Sequence, residues 1–254
     1  MATVIFSHGD KGGTGKSTIA TALVDYCVTH NRPVGLIEGD DWIPDVGLRY
    51  VDHVPTKHVD FNQSGNREEA AIKLLDHVET LTSGEIEIVV VNLPGSASQT
   101  LDGIGEILIQ TLNDAGHSCH MTYALGYQQG ATDGIKRSMK SGLLSMLPKD
   151  NVTIVYNEHL GDPKQWHYVL SGARKKVGAG YNEMTIPTTK PPELGQHILG
   201  NDQETPLYEF AKKSNSQLTL AQTNFFSLGW LEPMYKKMES LLPPVENKGG
   251  GNDG

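Results

Sequence analysis

Residues 9 to 18 read Gly9-Asp10-Lys11-Gly12-Gly13-Thr14-Gly15-Lys16-Ser17-Thr18. Four glycines, two lysines and three hydroxyls crowd into these ten positions. Glycines let successive backbone N–H groups turn into one concavity and close on anionic oxygens. A helix opening near Gly15 would add its positive dipole end. In such a loop Lys16 would neutralise β- and γ-phosphates. The Ser17 hydroxyl would ligate Mg²⁺, a hard ion that prefers oxygen. Thr18 could add a hydroxyl to the α-phosphate. The chemistry on offer is therefore that of a nucleoside triphosphate held with its metal.

A second chemical cluster is Glu38-Gly39-Asp40-Asp41. A carboxylate at the end of a strand beside a phosphate loop can orient an attacking water and take part in Mg²⁺ hydration.

These residues need a scaffold, and the surrounding pattern predicts one. Thr3–Ser7 (TVIFS) reads as a buried strand ahead of the glycines. Ile19, Leu23, Val24, Cys27 and Val28 recur at helical spacing, which predicts a helix over about 15–30. Pro33–Glu38 reads as the next strand, completing a βαβ unit with a parallel sheet. Further strands are expected at Ile86–Val91, Cys119–Leu125, Val152–Tyr156 and Met184–Ile186. Helices are expected at Leu101–Leu112 and Ile135–Leu147, and over most of Leu218–Leu242 with a break near Gly229 and Pro233. This alternation predicts an α/β, doubly wound, mostly parallel sheet flanked by helices. Residues 42–66 lack periodicity and read as a long mobile loop. A single domain over residues 1–243 and a disordered tail over 244–254 (glycine-rich and polar) complete the expected organisation.

Composition narrows the function classes. The 254 residues carry 21 Lys+Arg against 30 Asp+Glu, a formal charge of -9. That balance argues against a protein coated in basic charge for nucleic acid, while leaving room for a local patch. Two cysteines, Cys27 and Cys119, build no disulfide framework and no CxxC pair, so a reducing, cytoplasmic compartment is expected. No apolar run approaches the ~20 residues of a membrane span, and the N-terminus lacks the pattern of a secretory signal.

The general phosphate-loop pattern GxxxxGK[ST] is not met, because Asp10 stands where its first glycine should be. The run matches KGGxGK[ST] instead, and so resembles the deviant phosphate loop of the ParA/MinD family of P-loop ATPases. The resemblance implies an ATP-dependent sandwich homodimer in which Lys11 crosses the interface to the partner's nucleotide. It makes Asp40 the candidate for positioning the attacking water. It places Asn92, at the end of the strand IEIVVV, where the family carries an Asp that holds a water on Mg²⁺; Asn brings no negative charge there. Gly95 would offer its N–H near the γ-phosphate. Asn157, after VTIVY, would read the adenine edge, and Pro187 would lie near the base. The family's usual Pro-Gln after the first switch is here Asp41-Trp42. Longer stretches, among them IVVVNLPGSASQTLDGIGEILI and TIVYNEHLGDPKQW, resemble the TraL-type ATPases of plasmid conjugative-transfer regions.

Other signals carry less. His117-Ser118-Cys119-His120 lacks the paired spacing of zinc sites and enters a strand. The basic clusters Arg174-Lys175-Lys176, Lys212-Lys213 and Lys236-Lys237 could meet DNA nonspecifically, or be solvated helix faces. Trp230, Met234 and Met238 could form a membrane-binding face, but a core-packing helix is favoured. The reading is a Mg²⁺-ATP-dependent dimerising ATPase in plasmid partition, conjugative transfer or cargo positioning, with an activating or cargo adaptor protein as a further partner. The alternatives are a nucleotide-gated adaptor with little hydrolysis, and an ATP-dependent biosynthetic enzyme of the same fold.

Overall fold

Seven segments pair side by side as parallel strands: Thr3–His8 (β1), Val34–Glu38 (β2), Thr56–His58 (β3), Ile88–Asn92 (β4), Ser118–Leu125 (β5), Val152–Asn157 (β6) and Asn182–Ile186 (β7). Their order across the sheet is β3-β2-β4-β1-β5-β6-β7. The computed structural model describes residues 1–9, 11–40, 44–61, 67–95, 97–214 and 217–244, the side chains of 98–100 excepted.

The main helices are Lys16–Thr29 (α1), Asp45–Tyr50 (α2), Arg67–Thr82 (α3), Ala97–Asp114 (α4) and Gln129–Ser141 (α5). They cover both faces. Val4 and Phe6 of β1 and Val89 and Val91 of β4 turn toward α3, α4 and α5. Ile5, Ile88 and Val90 turn toward α1, α2 and the C-terminal segment. This two-residue alternation between two apolar layers is why the central strands are apolar throughout. β1 lies between β4 and β5, where the chain switches from one side of the sheet to the other. Ligands of open α/β sheets bind in the crevice outside the strand ends at such a switch.

Register brings chemistry together at that edge. Ser7 pairs with Asn92, and Asn92 pairs in turn with Glu38.

Several expected elements differ. The segment 42–66 is not one long loop: it holds α2 and β3, although 41–43 and 62–66 lie outside the described residues. Both elements are short, too short for periodicity to reveal. The helix expected at Ile135–Leu147 begins earlier, at Gln129, and ends at Ser141, because Gly142 turns the chain to an extended conformation before a 3-10 turn at Leu143–Met146. The break expected near Gly229 and Pro233 is a π-turn over Ser227–Leu231. It links the helices Leu220–Phe226 and Glu232–Glu239 in one continuous helical run, with Pro233 the second residue of the latter. Trp230, Met234 and Met238 are buried in the core, as the core-packing reading expects. Of the tail, residues 245–254 lie outside the described residues.

Candidate functional site

The loop after β1 is braced from within. Gly15 has φ 101°, a left-handed conformation that a side chain rarely adopts. A Cβ there would also stand 2.6 Å from Nδ2 of Asn157. The turn delivers the chain to Lys16, the first residue of α1. Ser7 Oγ donates to the Lys16 carbonyl at 2.8 Å, pinning the helix start to β1. Lys16 is largely buried, and its Nζ donates to the Lys11 carbonyl at 2.8 Å, so the ammonium arches over the loop. The Thr14 hydroxyl donates to the same carbonyl at 3.2 Å.

A cavity of about 700 Å³ opens at the C-terminal edge of the sheet. Gly12, Gly13, Gly15, Lys16, Ser17 and Thr18 line one end, joined by Asp40 and Gly95. Asn157 and Pro187 line the other, with Trp230 behind them. Trp230 Nε1 donates to the Pro187 carbonyl at 2.9 Å, which fixes that wall. Asn157 Oδ1 accepts from the His159 N–H at 3.0 Å, leaving its Nδ2 toward Gly15. Gly95 meets the loop closely: a Cβ on it would lie 3.1 Å from the Gly12 nitrogen. Ten of the residues expected from sequence therefore share one cavity: six of the loop, Asp40, Gly95, Asn157 and Pro187.

Lys11, Thr14 and Asn92 do not line it. Lys11 Nζ donates to Gln128 Oε1 at 3.1 Å, at the start of α5. Asn92 is buried one layer below, and its Nδ2 donates to Glu38 Oε1 at 2.8 Å. The same Oε1 accepts from the Asp40 N–H at 3.0 Å, and Oε2 accepts from the Gly47 N–H at 3.0 Å. Burial pushes the Glu38 carboxyl up to about 7, against the pull of these hydrogen bonds. Glu38 thus ties the ends of β2 and β4 to α2. Asn92 Oδ1 is buried without a hydrogen-bond partner among the described residues.

Sequence reasoning missed Asp45. It opens α2, lines the cavity and accepts a hydrogen bond from the Ser17 hydroxyl. Burial raises its carboxyl, and the Ser17 bond opposes that rise. The available signal was an Asp directly after Pro44 at the head of an apolar run, a helix-start pattern.

The oxygen set fits Mg²⁺. Ser17 offers a hydroxyl, and Asp40 and Asp45 offer carboxylates at the same end of the cavity. Among the described residues no group of three or more His, Cys, Asp or Glu is placed to hold a metal. Mg²⁺ keeps waters and substrate phosphate oxygens and needs only one or two protein ligands.

The discounted signals sit elsewhere. His117 accepts from the Ala2 N–H at 3.3 Å at the start of β5, the opposite edge of the sheet. Arg174 pairs with Glu183, and Lys212 with Glu209, so two of the three basic clusters are partly neutralised. Cys27 and Cys119 are free, buried thiols. Among the described residues no helix is long and apolar enough to cross a membrane.

No family model matches the chain. It is similar to Protein MobD of Acidithiobacillus ferrooxidans, 27% identical over 182 residues, covering 70% of this chain and 74% of MobD. Its fold is that of the MinC:MinD cell division complex of Aquifex aeolicus, with a TM-score of 0.54, 13% identity, and coverage of 97% of this chain and 99% of that one. It also matches the cell division protein FtsY of Thermotoga maritima, with a TM-score of 0.50 and 16% identity over 76% of this chain. The chain spans 64% of the length of that FtsY. The architecture is the P-loop NTPase fold that these structures share.

Proposed function

We propose that the chain is a Mg²⁺-dependent, dimerising ATPase of the ParA/MinD type. The observation that carries this reading is the braced glycine loop, which sets Lys16 and Ser17 at one end of a cavity whose other end is Asn157 and Pro187. Backbone N–H groups of Gly12, Gly13 and Gly15 would receive the phosphates, and Lys16 would leave the Lys11 carbonyl to neutralise β- and γ-oxygens. Ser17, with Asp40 and Asp45 around it, would hold Mg²⁺, which when bound spreads the charge of the transferring phosphoryl group. Asp40 would orient the attacking water. Asn157 would offer its amide to the adenine edge. Phosphoryl transfer of this kind is positioning and charge stabilisation, so turnover would be slow until a partner completes the site. In the dimer Lys11 would reach the partner's phosphates. A role in plasmid partition, conjugative transfer or cargo positioning, in a reducing cytoplasm, is what the resemblance implies.

The experiment is steady-state phosphate release from Mg²⁺-ATP, with and without nonspecific duplex DNA, using Lys16→Ala as the blank. Release above the blank is expected, and stimulation by DNA would support a DNA-tethered ATPase. Failure of the wild type to bind ATP would overturn the reading.

The second reading, a nucleotide-gated adaptor, is favoured by one feature: the amide of Asn92 is spent on Glu38. ATP-dependent dimerisation without phosphate release would select it.

A further inference from the structure

Arg49 lies outside the cavity, yet it joins both of its ends. Its side chain is almost completely buried at the end of α2. Nη2 donates to the Ile198 carbonyl at 2.9 Å and to the Asp202 carbonyl, and Nη1 donates to the Thr205 carbonyl. One guanidinium thus gathers three carbonyls from an eight-residue strap. That strap is also the cavity wall: Gln196, Leu199 and Gly200 line the cavity on either side of Ile198. A planar fork with five N–H donors holds three such acceptors in one fixed geometry; an ammonium has three donors, but as a compact point charge on a flexible stem it lacks the spread of that fork.

The other end of α2 belongs to the phosphate side. Asp45, its first residue, accepts from the Ser17 hydroxyl, and the Gly47 N–H is fixed on Glu38. Six residues of helix span only about 9 Å, too short to absorb a displacement by bending. Tyr50 reinforces the far end: its hydroxyl donates to Asp25 Oδ1 of α1 at 2.6 Å, and Asp25 also accepts from the Tyr208 N–H at 3.1 Å and from the Tyr235 hydroxyl. Asp202, Asp25 and Asp45 are near enough to offset the Arg49 charge. Burying a cation is costly unless it is fully bonded, and apolar packing would hold a strap at less cost. The arginine therefore asks for a role beyond packing.

We propose that Arg49 is a positioning residue that couples the two ends of the cavity, tying the Gln196–Thr205 wall to the helix that carries Asp45. The proposal rests on the nucleotide-binding reading above. Under it, Mg²⁺ at the Ser17–Asp45 end settles α2, and α2 through Arg49 settles the wall around the nucleoside. Mg²⁺ then tightens nucleotide binding through a part of the protein that touches neither phosphate nor metal.

The test is calorimetric titration of ADP into the full chain, with and without excess magnesium chloride, for the wild type and Arg49→Lys. The wild type should bind ADP about fivefold or more tightly with Mg²⁺, the scale of an ordinary coupling between sites. In Arg49→Lys that ratio should fall below about twofold. An unchanged ratio, even with both affinities weakened, would make Arg49 merely structural and overturn the proposal. So would a wild type whose ADP affinity ignores Mg²⁺. Failure of the wild type to bind ADP under either condition would instead overturn the nucleotide reading, and this inference with it. Should Arg49→Lys not fold, amide hydrogen exchange decides. Adding Mg²⁺ to the ADP complex should slow exchange over residues 196–205 in the wild type and not in Asp45→Asn. No Mg²⁺-dependent slowing in the wild type overturns the coupling.

Discussion

Asn92 donates its side-chain amide to Glu38 Oε1 across 2.8 Å, so a neutral donor and a carboxylate share the buried floor beneath the cavity. Asn92→Asp would put two carboxylates at that distance and remove the donor. Like charges so close cannot both ionise, and the loss of a buried bond adds to the cost. Asn92→Asp should therefore destabilise the metal-free protein by about 2 kcal/mol or more at alkaline pH. Combining it with Glu38→Gln re-creates an amide–carboxylate pair in the opposite order and should recover most of the loss. Thermal unfolding of the two single variants and the double variant measures this. A double variant no more stable than Asn92→Asp would show that the pair is not coupled.

The same carboxylate sets a pH dependence. Burial raises Glu38 from 4.5 to about 7. Between those values the folded protein keeps a proton that the unfolded chain has released. Its contribution to stability is thus full below pH 4.5, falls as pH rises, and is gone above about 7. The effect is on the order of 3 kcal/mol. Glu38→Gln does not titrate, so the stability difference between wild type and variant should carry this slope. Equal slopes in denaturant titrations from pH 4.5 to 8 would contradict it.

The parallel sheet and the loop were legible because each rests on local pattern: apolar runs for β1 and β4, glycines and hydroxyls before α1. What escaped was short or depended on distant partners. β3 has three residues and α2 six, and neither shows a period. Asp45 acquires meaning only when α2 brings it to Ser17, twenty-eight residues away in sequence. Arg49 reads as an ordinary surface arginine until its three carbonyls, about 150 residues downstream, are seen. Asn92 was legible as a departure, but the receiver of its amide, Glu38, follows from β2 pairing with β4.

Gly15 tests the geometry of the loop without touching charge. At φ 101°, with Asn157 Nδ2 2.6 Å from a would-be Cβ, Gly15→Ala must bend the loop or push Asn157 aside. The strained backbone costs on the order of 1–2 kcal/mol. ADP affinity should drop at least about tenfold, while circular dichroism stays that of the wild type. Unchanged affinity would mean that neither the turn nor Asn157 shapes the nucleotide end.

Lys11 tests the dimer. Its Nζ rests on Gln128 Oε1 at 3.1 Å, an exposed contact beside the start of α5, whose N–H groups repel a cation. The resting place is therefore weak, worth no more than about 1 kcal/mol, and an anionic phosphate would outbid a neutral amide. Gln128→Ala frees the lysine in each protomer, so dimerisation with a non-hydrolysable ATP analogue should tighten by a few-fold. Lys11→Ala should abolish that dimer while leaving ADP affinity of the monomer within about twofold, because Lys11 does not line its own cavity. Sedimentation velocity with each variant reads the first effect and calorimetry the second. A Lys11→Ala protein that still dimerises with the analogue would remove the lysine from the interface, and a parallel loss of ADP affinity would place it in its own protomer's site instead.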